Sequence, residues 1–286
     1  MNEIEKHPGR LQSVLQFPLT RMAIGFLAIA LLAFPILVTA NAAHLHGVAF
    51  AAMHLLSGLA AWGIYLVYVR TFERRKATEL ELRWLMPQFA KGFAIGVGLY
   101  CVTIGVLWLG GAYQVTGLNP AEAVLAVFIN ALGAALLEEI AIRGVVFRIM
   151  EGSLGSWLAL AISALFFGLL HAINPGANWQ SVAGIALQGG LILAAAYVYA
   201  RQLWLAIGLH CAWNFAGGGI FGAERKSHSL LSAQVRGPEW LTGGQDGLDA
   251  SLAAVLICLA ATVAFLLLAR RRGHIMAPFW SRSRPG

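Results

Sequence analysis

Long, nearly uncharged apolar runs recur from one end of this chain to the other, and few folds can accommodate them. A hydrocarbon layer of about 30 Å takes roughly 20 helical residues per crossing. Runs of that order fall near residues 18–41, 47–69, 89–111, 121–149, 154–172, 180–200, 202–221 and 249–269, each bounded by charge or by turn-forming residues. They are continuous rather than alternating with period two, so they predict helices and not the strands of a barrel. The expected fold is therefore all-α, a polytopic membrane helix bundle of about eight transmembrane helices. Composition agrees, since 59% of the 286 residues are hydrophobic and 12% charged, a balance foreign to soluble domains of this size.

The basic residues sort by side when the runs are threaded back and forth. Lys6, Arg10, Arg21, Arg70, Arg74, Arg75, Lys76, Arg83, Lys91, Arg148, Arg201, the Arg270–Arg272 run, Arg282 and Arg284 fall on one side. Arg225, Lys226 and Arg236 fall on the other. Lys and Arg are retained on the cytoplasmic face, which places both termini there. The net charge of +7 follows from this bias, so the lipid bilayer is the expected partner and nucleic acid is not. The first run is too long and too interrupted for a cleaved signal and ends without an A-x-A site. Short loops without an organellar targeting segment predict a prokaryotic plasma (inner) membrane. Cys101, Cys211 and Cys258 stand singly within spans, as packing thiols rather than disulfides or metal ligands.

Three regions follow. Residues 1–118 hold the first three spans, with an amphipathic stretch at 71–87 as a linker lying along the interface. Residues 119–221 form a four-span core that begins with Asn119 as helix cap and Pro120 at the first position. Residues 222–286 comprise an external loop, the last span and a basic tail. The Gly, Ser and charge content of 222–248 predicts a connector of low order.

Within the core, "LLEEIAIRGVVF" at 136–147 places Glu138, Glu139 and Arg143 inside a span. Left unpaired near the bilayer centre, the three together would cost on the order of 8 kcal/mol. Glu139 and Arg143 are four residues apart with the acid first, the favoured spacing for an ion pair within one helix. Glu138 points about 100° away and must find polar company on other spans. The candidates are His171, which ends "FFGLLH", and His210 with Asn214, which share one face of "HCAWN". A carboxylate, two imidazoles and an amide from three spans can converge on one wet pocket. His54 is read as a packing histidine, and Asn130, Ser163 and Gln188 as hydrogen-bonding glue between helices.

These residues resemble the CAAX prenyl protease and bacteriocin-processing family, also called Abi proteins. Its signatures EExxxR, FxxxH and HxxxN read here as "EEIAIR" at 138–143, "FGLLH" at 167–171 and "HCAWN" at 210–214, in the same order. The resemblance implies an intramembrane endopeptidase acting on protein or peptide substrates at the membrane, a family that includes enzymes for prenylated CAAX tails. Carried over, Glu138 and His171 hold and activate a water, His210 and Asn214 stabilise the oxyanion, and Glu139 and Arg143 support the site. That version needs no cofactor. Two His and one Glu also make a known catalytic zinc set, so a metal version would use Glu138, His171 and His210. A non-catalytic immunity or peptide-binding protein on the same scaffold, and a proton-coupled transporter, are the competing readings. There is no HExxH helix and no GxSxG elbow, and the "GGQD" at 243–246 has the wrong spacing for GxGD aspartyl enzymes.

Overall fold

A computed structural model describes residues 14–174, 176–223 and 229–282. Lys6, Arg10, Arg225, Lys226, His228 and Arg284 lie outside the described residues. The chain is an all-α bundle: α1 (Pro18–Leu32), α2 (Phe34–Ala42), α3 (Gly47–Thr71), α4 (Leu85–Leu109), α5 (Val124–Glu139), α6 (Arg148–Leu170), α7 (Trp179–Ile185), α8 (Leu191–Ala200), α9 (Leu203–Phe215), the short α10 (Glu239–Thr242) and α11 (Leu252–Arg271). Among the described residues, six helical stretches are long and apolar enough to cross a membrane, and the longest runs over Ala121–Ile173. That stretch is broken at Gly155, whose φ of 77° turns the chain so that α6 continues as a separate pass. A Cβ at Gly155 would also meet the backbone of Met276 and Pro278 at 2.8 and 2.7 Å, so glycine is required on both counts.

Burial runs opposite to that of a soluble protein's surface. The outer helices expose Leu27, Leu31, Val67, Leu165, Val263 and Leu267, as a lipid-facing surface does, whereas α8 and α9 are almost wholly enclosed. Association of helices in lipid draws on close packing rather than on the hydrophobic effect. Accordingly the helix contacts are made where side chains are absent. A Cβ at Gly133 of α5 would stand 2.3 Å from the His54 carbonyl carbon of α3, and one at Gly208 of α9 would stand 2.2 Å from the Phe89 oxygen of α4.

Three α-helices pass into π-helical stretches: Ile140–Phe147 after α5, Ala186–Gly190 before α8, and Ala216–Phe221 after α9. A π-turn frees backbone carbonyls from the regular ladder and recurs at functional sites. The first two stretches supply carbonyls to the side chains described below.

At one end of the bundle the basic residues gather around buried acids. Glu73 accepts two bonds of 2.8 Å from Arg148, one of 2.6 Å from Arg21 and one of 2.7 Å from Arg75. Burial pushes the Glu73 carboxyl up, and these guanidiniums, Arg148 foremost, overcome that and bring it down to about 2. Tyr65 donates to Glu79, which Arg75 also holds at 2.8 and 2.9 Å. Arg148 Nε donates to the Gly144 carbonyl of the first π-stretch at 2.8 Å. The amphipathic linker holds two short 3-10 turns, Thr78–Leu80 and Leu82–Trp84, with Glu79 turned inward to this network.

The opposite end departs from the sequence reading in two places. Part of the connector expected to be of low order is built: β1 (Tyr113–Leu118) and β2 (Leu231–Val235) pair antiparallel, and residues 239–250 pack against α7 and α11, with Asp249 accepting from the Trp213 indole of α9 at 2.6 Å. Asn119 does not cap a helix. It donates to the Ser229 carbonyl and accepts from the Ser232 hydroxyl, tying the sheet together, and α5 starts at Val124 after a 3-10 turn.

Candidate active site

Glu139 and Arg143 form the ion pair expected from their spacing, at 2.8 Å, and both side chains are fully buried. A buried guanidinium has five donors to satisfy, and one carboxylate cannot do it. Part of the remainder comes from the second π-stretch, where the Gly189 and Gly190 carbonyls accept from Arg143 at 3.3 and 3.1 Å, while Arg143 Nε is buried without a hydrogen-bond partner among the described residues. The Phe167 ring covers the guanidinium with its centroid 4.4 Å away, a cation–π contact. Arg143 thus locks three elements together: its own segment, the start of α8 and the end of α6.

The same Glu139 oxygen that holds Arg143 lies 2.9 Å from His210 Nδ1. A carboxylate accepts here, so the ring nitrogen donates, which fixes the orientation of the imidazole. The far nitrogen, Nε2, then stands 3.9 Å from Glu138 Oε2, facing it without a direct hydrogen bond. Glu138 Oε2 is itself buried and has no hydrogen-bond partner among the described residues. The two adjacent acids are therefore unlike. Glu138 leaves 34% of its side chain exposed and Glu139 none, so only Glu138 can meet solvent or a ligand.

His171 closes α6, and its Nδ1 lies 2.8 Å from the Phe167 carbonyl one turn back. Donation to that carbonyl leaves Nε2 as the open acceptor. Its ring packs at 4.8 Å on Phe167, whose other neighbours are Arg143 and, at 6.1 Å, His210. Asn214 follows His210 by one turn of α9, about 6 Å along the axis, and is half-buried. Glu138, Glu139, Arg143 and His210 are thus in direct mutual reach. His171 joins them across the Phe167 ring, and Asn214 lies one turn further along.

Among the described residues no three His, Cys, Asp and Glu side chains are arranged to hold a metal ion. His210 Nδ1 is engaged with Glu139, which leaves its Nε2 facing Glu138.

Sequence reasoning missed several parts of this site. The Gly189 and Gly190 carbonyls and the π-turns carry no side-chain signal, and Phe167 was read only as a motif position. His54, read as a packing histidine, turns its Nδ1 to the Phe50 carbonyl at 3.3 Å. Gln188 matches its expected role of tying helices together, with its amide 3.6 Å from the Cys258 sulfur.

No curated protein and no solved structure matches the chain. A family model does match, over residues 120–216, and its description is Rce1-like, type II CAAX prenyl endopeptidase. That interval contains all three motifs and every side chain of the cluster, so over residues 120–216 this multi-pass membrane protein is similar to Rce1-like type II CAAX prenyl endopeptidases, a similarity that supports an intramembrane endopeptidase in general.

Proposed function

We propose that the protein hydrolyses peptide bonds of membrane-associated protein or peptide substrates with a water activated by Glu138 and His171. The water oxygen attacks the scissile carbonyl carbon while its proton passes to the Glu138 carboxylate, and the same proton is returned to the leaving amine as the tetrahedral intermediate collapses. His171 has Nε2 open for the water's second hydrogen, because its Nδ1 is turned to the Phe167 carbonyl. His210 and Asn214 face the developing oxyanion.

With Nδ1–H committed to Glu139, the His210 ring can donate to an oxyanion only through a proton on Nε2. It therefore works as the imidazolium, held between Glu139 at 2.9 Å and Glu138 at 3.9 Å. Glu139 orients that ring, and Arg143 holds Glu139 in place at 2.8 Å. No step is routed through a metal ion. The plasma membrane of a prokaryotic cell, with the basic end of the bundle towards the cytoplasm, is the setting this reading assumes.

The observation that carries the reading is the contrast within the acid pair: one carboxylate fully buried, with one oxygen shared by Arg143 and His210, the other partly open and facing His210 Nε2 at 3.9 Å. Purified protein and a fluorogenic peptide library provide the test. Turnover is expected in the intact chain, to be unaffected by a metal chelator, and to vanish in Glu138→Ala. Activity that survives the substitution overturns the mechanism, and activity lost to chelator and restored by zinc returns the metal version.

A further inference from the structure

Where α3 ends, the chain folds back on itself: Arg74 takes a φ of 53°, and the Arg75 amide bonds the Val69 carbonyl at 3.2 Å. The fold-back borders an open pocket of about 600 Å³ lined by Leu66, Arg70, Arg74, Arg75, Lys76 and Ala77. Four cations line it, and only one is neutralised. Arg75 is held by Glu73 at 2.7 Å and Glu79 at 2.8 Å, whereas Arg70, Arg74 and Lys76 have no acidic partner among the described residues. Like charges crowded into one concavity repel one another, and an anion placed between them relieves all the repulsions at once.

The pocket's level along the span and its walls narrow the choice of anion. It lies at the end of a membrane-length helix, directly after the lipid-exposed Leu66 and Val67, which is the level of the headgroups. Leu66 and Ala77 add an apolar wall that a small free anion would not use, and that the first carbons of an acyl chain would.

We infer that the Arg70, Arg74 and Lys76 pocket binds the phosphate headgroup of an anionic phospholipid. The inference stands apart from peptidase chemistry, since none of the three cations touches the Glu138 cluster, and its readout is lipid binding alone.

The experiment is native mass spectrometry of the full chain released from micelles containing phosphatidylglycerol or phosphatidylcholine. Phosphatidylglycerol should be retained preferentially. Each cation near an anionic surface is worth about fivefold, so the triple variant Arg70→Gln, Arg74→Gln, Lys76→Gln should lose on the order of a hundredfold of that preference. Arg74→Gln alone, a change at an exposed position, should lose part of it and serves if the triple variant folds poorly. Neutralising Arg270, Arg271 and Arg272 at the same end should leave the preference intact. Equal retention of both lipids, an unchanged preference in the Arg74→Gln and triple variants, or equal loss in the Arg270–Arg272 control overturns the proposal. Binding of glycerol 3-phosphate as tight as that of the lipid also overturns it, by making a free phosphate the occupant.

Discussion

Glu139 is the residue on which the candidate site turns, because one of its oxygens serves both Arg143 and His210. Glu139→Gln keeps the shape, loses the charge, and replaces the charge-assisted bond that orients the imidazole with, at best, a weaker one to an amide oxygen. We expect kcat to fall by about 10²-fold or more with KM little changed, as for a group that acts on the transition state through another. The same change leaves Arg143 buried without a counter-charge, which typically costs about 3–5 kcal/mol. Glu138→Gln should behave differently, abolishing turnover while leaving the thermal midpoint almost unmoved, since that carboxylate is partly open and holds no guanidinium. Thermal melting in detergent beside steady-state kinetics separates the two, and a Glu138 variant as unstable as the Glu139 variant would contradict the division of labour. The ion pair was legible in the sequence because one helix fixes its spacing. His210's attachment to Glu139 rather than to Glu138 was not, because it depends on how α9 is rotated against α5.

At the scale of elements, the site is held by backbone as much as by side chains. The π-stretch Ile140–Phe147 places Arg143 within reach of carbonyls that belong to another π-stretch, and its Gly144 carbonyl is tethered by Arg148. Close helix approach then sets the distance between α4 and α9, which carries His210 and Asn214. Gly208→Ala would drive a Cβ to within 2.2 Å of the Phe89 carbonyl oxygen, which is backbone and cannot swing aside. The helices must separate, at a cost of about 1–3 kcal/mol and often more where backbone is the obstacle. The thermal midpoint should drop and activity should fall with it. An alanine tolerated at both Gly208 and Gly133 would mean that these crossings are looser than described. Nothing in the apolar run that contains Gly208 announces this role. A glycine in such a span signals close approach in general, and only the packing says to which neighbour.

For the molecule as a whole, the basic end is a charged clasp that joins α1, α3, the loop after α3 and α6 through Glu73. The folded carboxyl sits near 2 against an ordinary value of 4.5. A depressed carboxyl contributes stability that is fully present above its unfolded value and is lost as pH falls through the folded one. Stability should therefore decline from about pH 4.5 downward and the contribution should be gone near pH 2. In Glu73→Gln that acid limb should flatten, with lower stability at neutral pH, as chemical denaturation across this range can measure. An acid limb of unchanged shape in the variant would show that another group sets it.

The sequence by itself determined the all-α membrane bundle, the gathering of basic residues at one end, and the motif residues Glu138, Glu139, Arg143, His171, His210 and Asn214 as the polar content of the core. These follow from local rules: apolar run length, charge placement, and fixed spacing along a helix. Tertiary structure alone decided which acid is buried and which is open, that Gly189 and Gly190 accept from Arg143, that Phe167 joins His171 to His210, and that part of the long connector folds into a strand and short turns. The reason is physical. Periodicity records which way each side chain leaves its own helix, whereas a buried charge is satisfied by whatever atoms neighbouring helices bring to it. That depends on rotations, π-turns and close approaches that no single helix encodes.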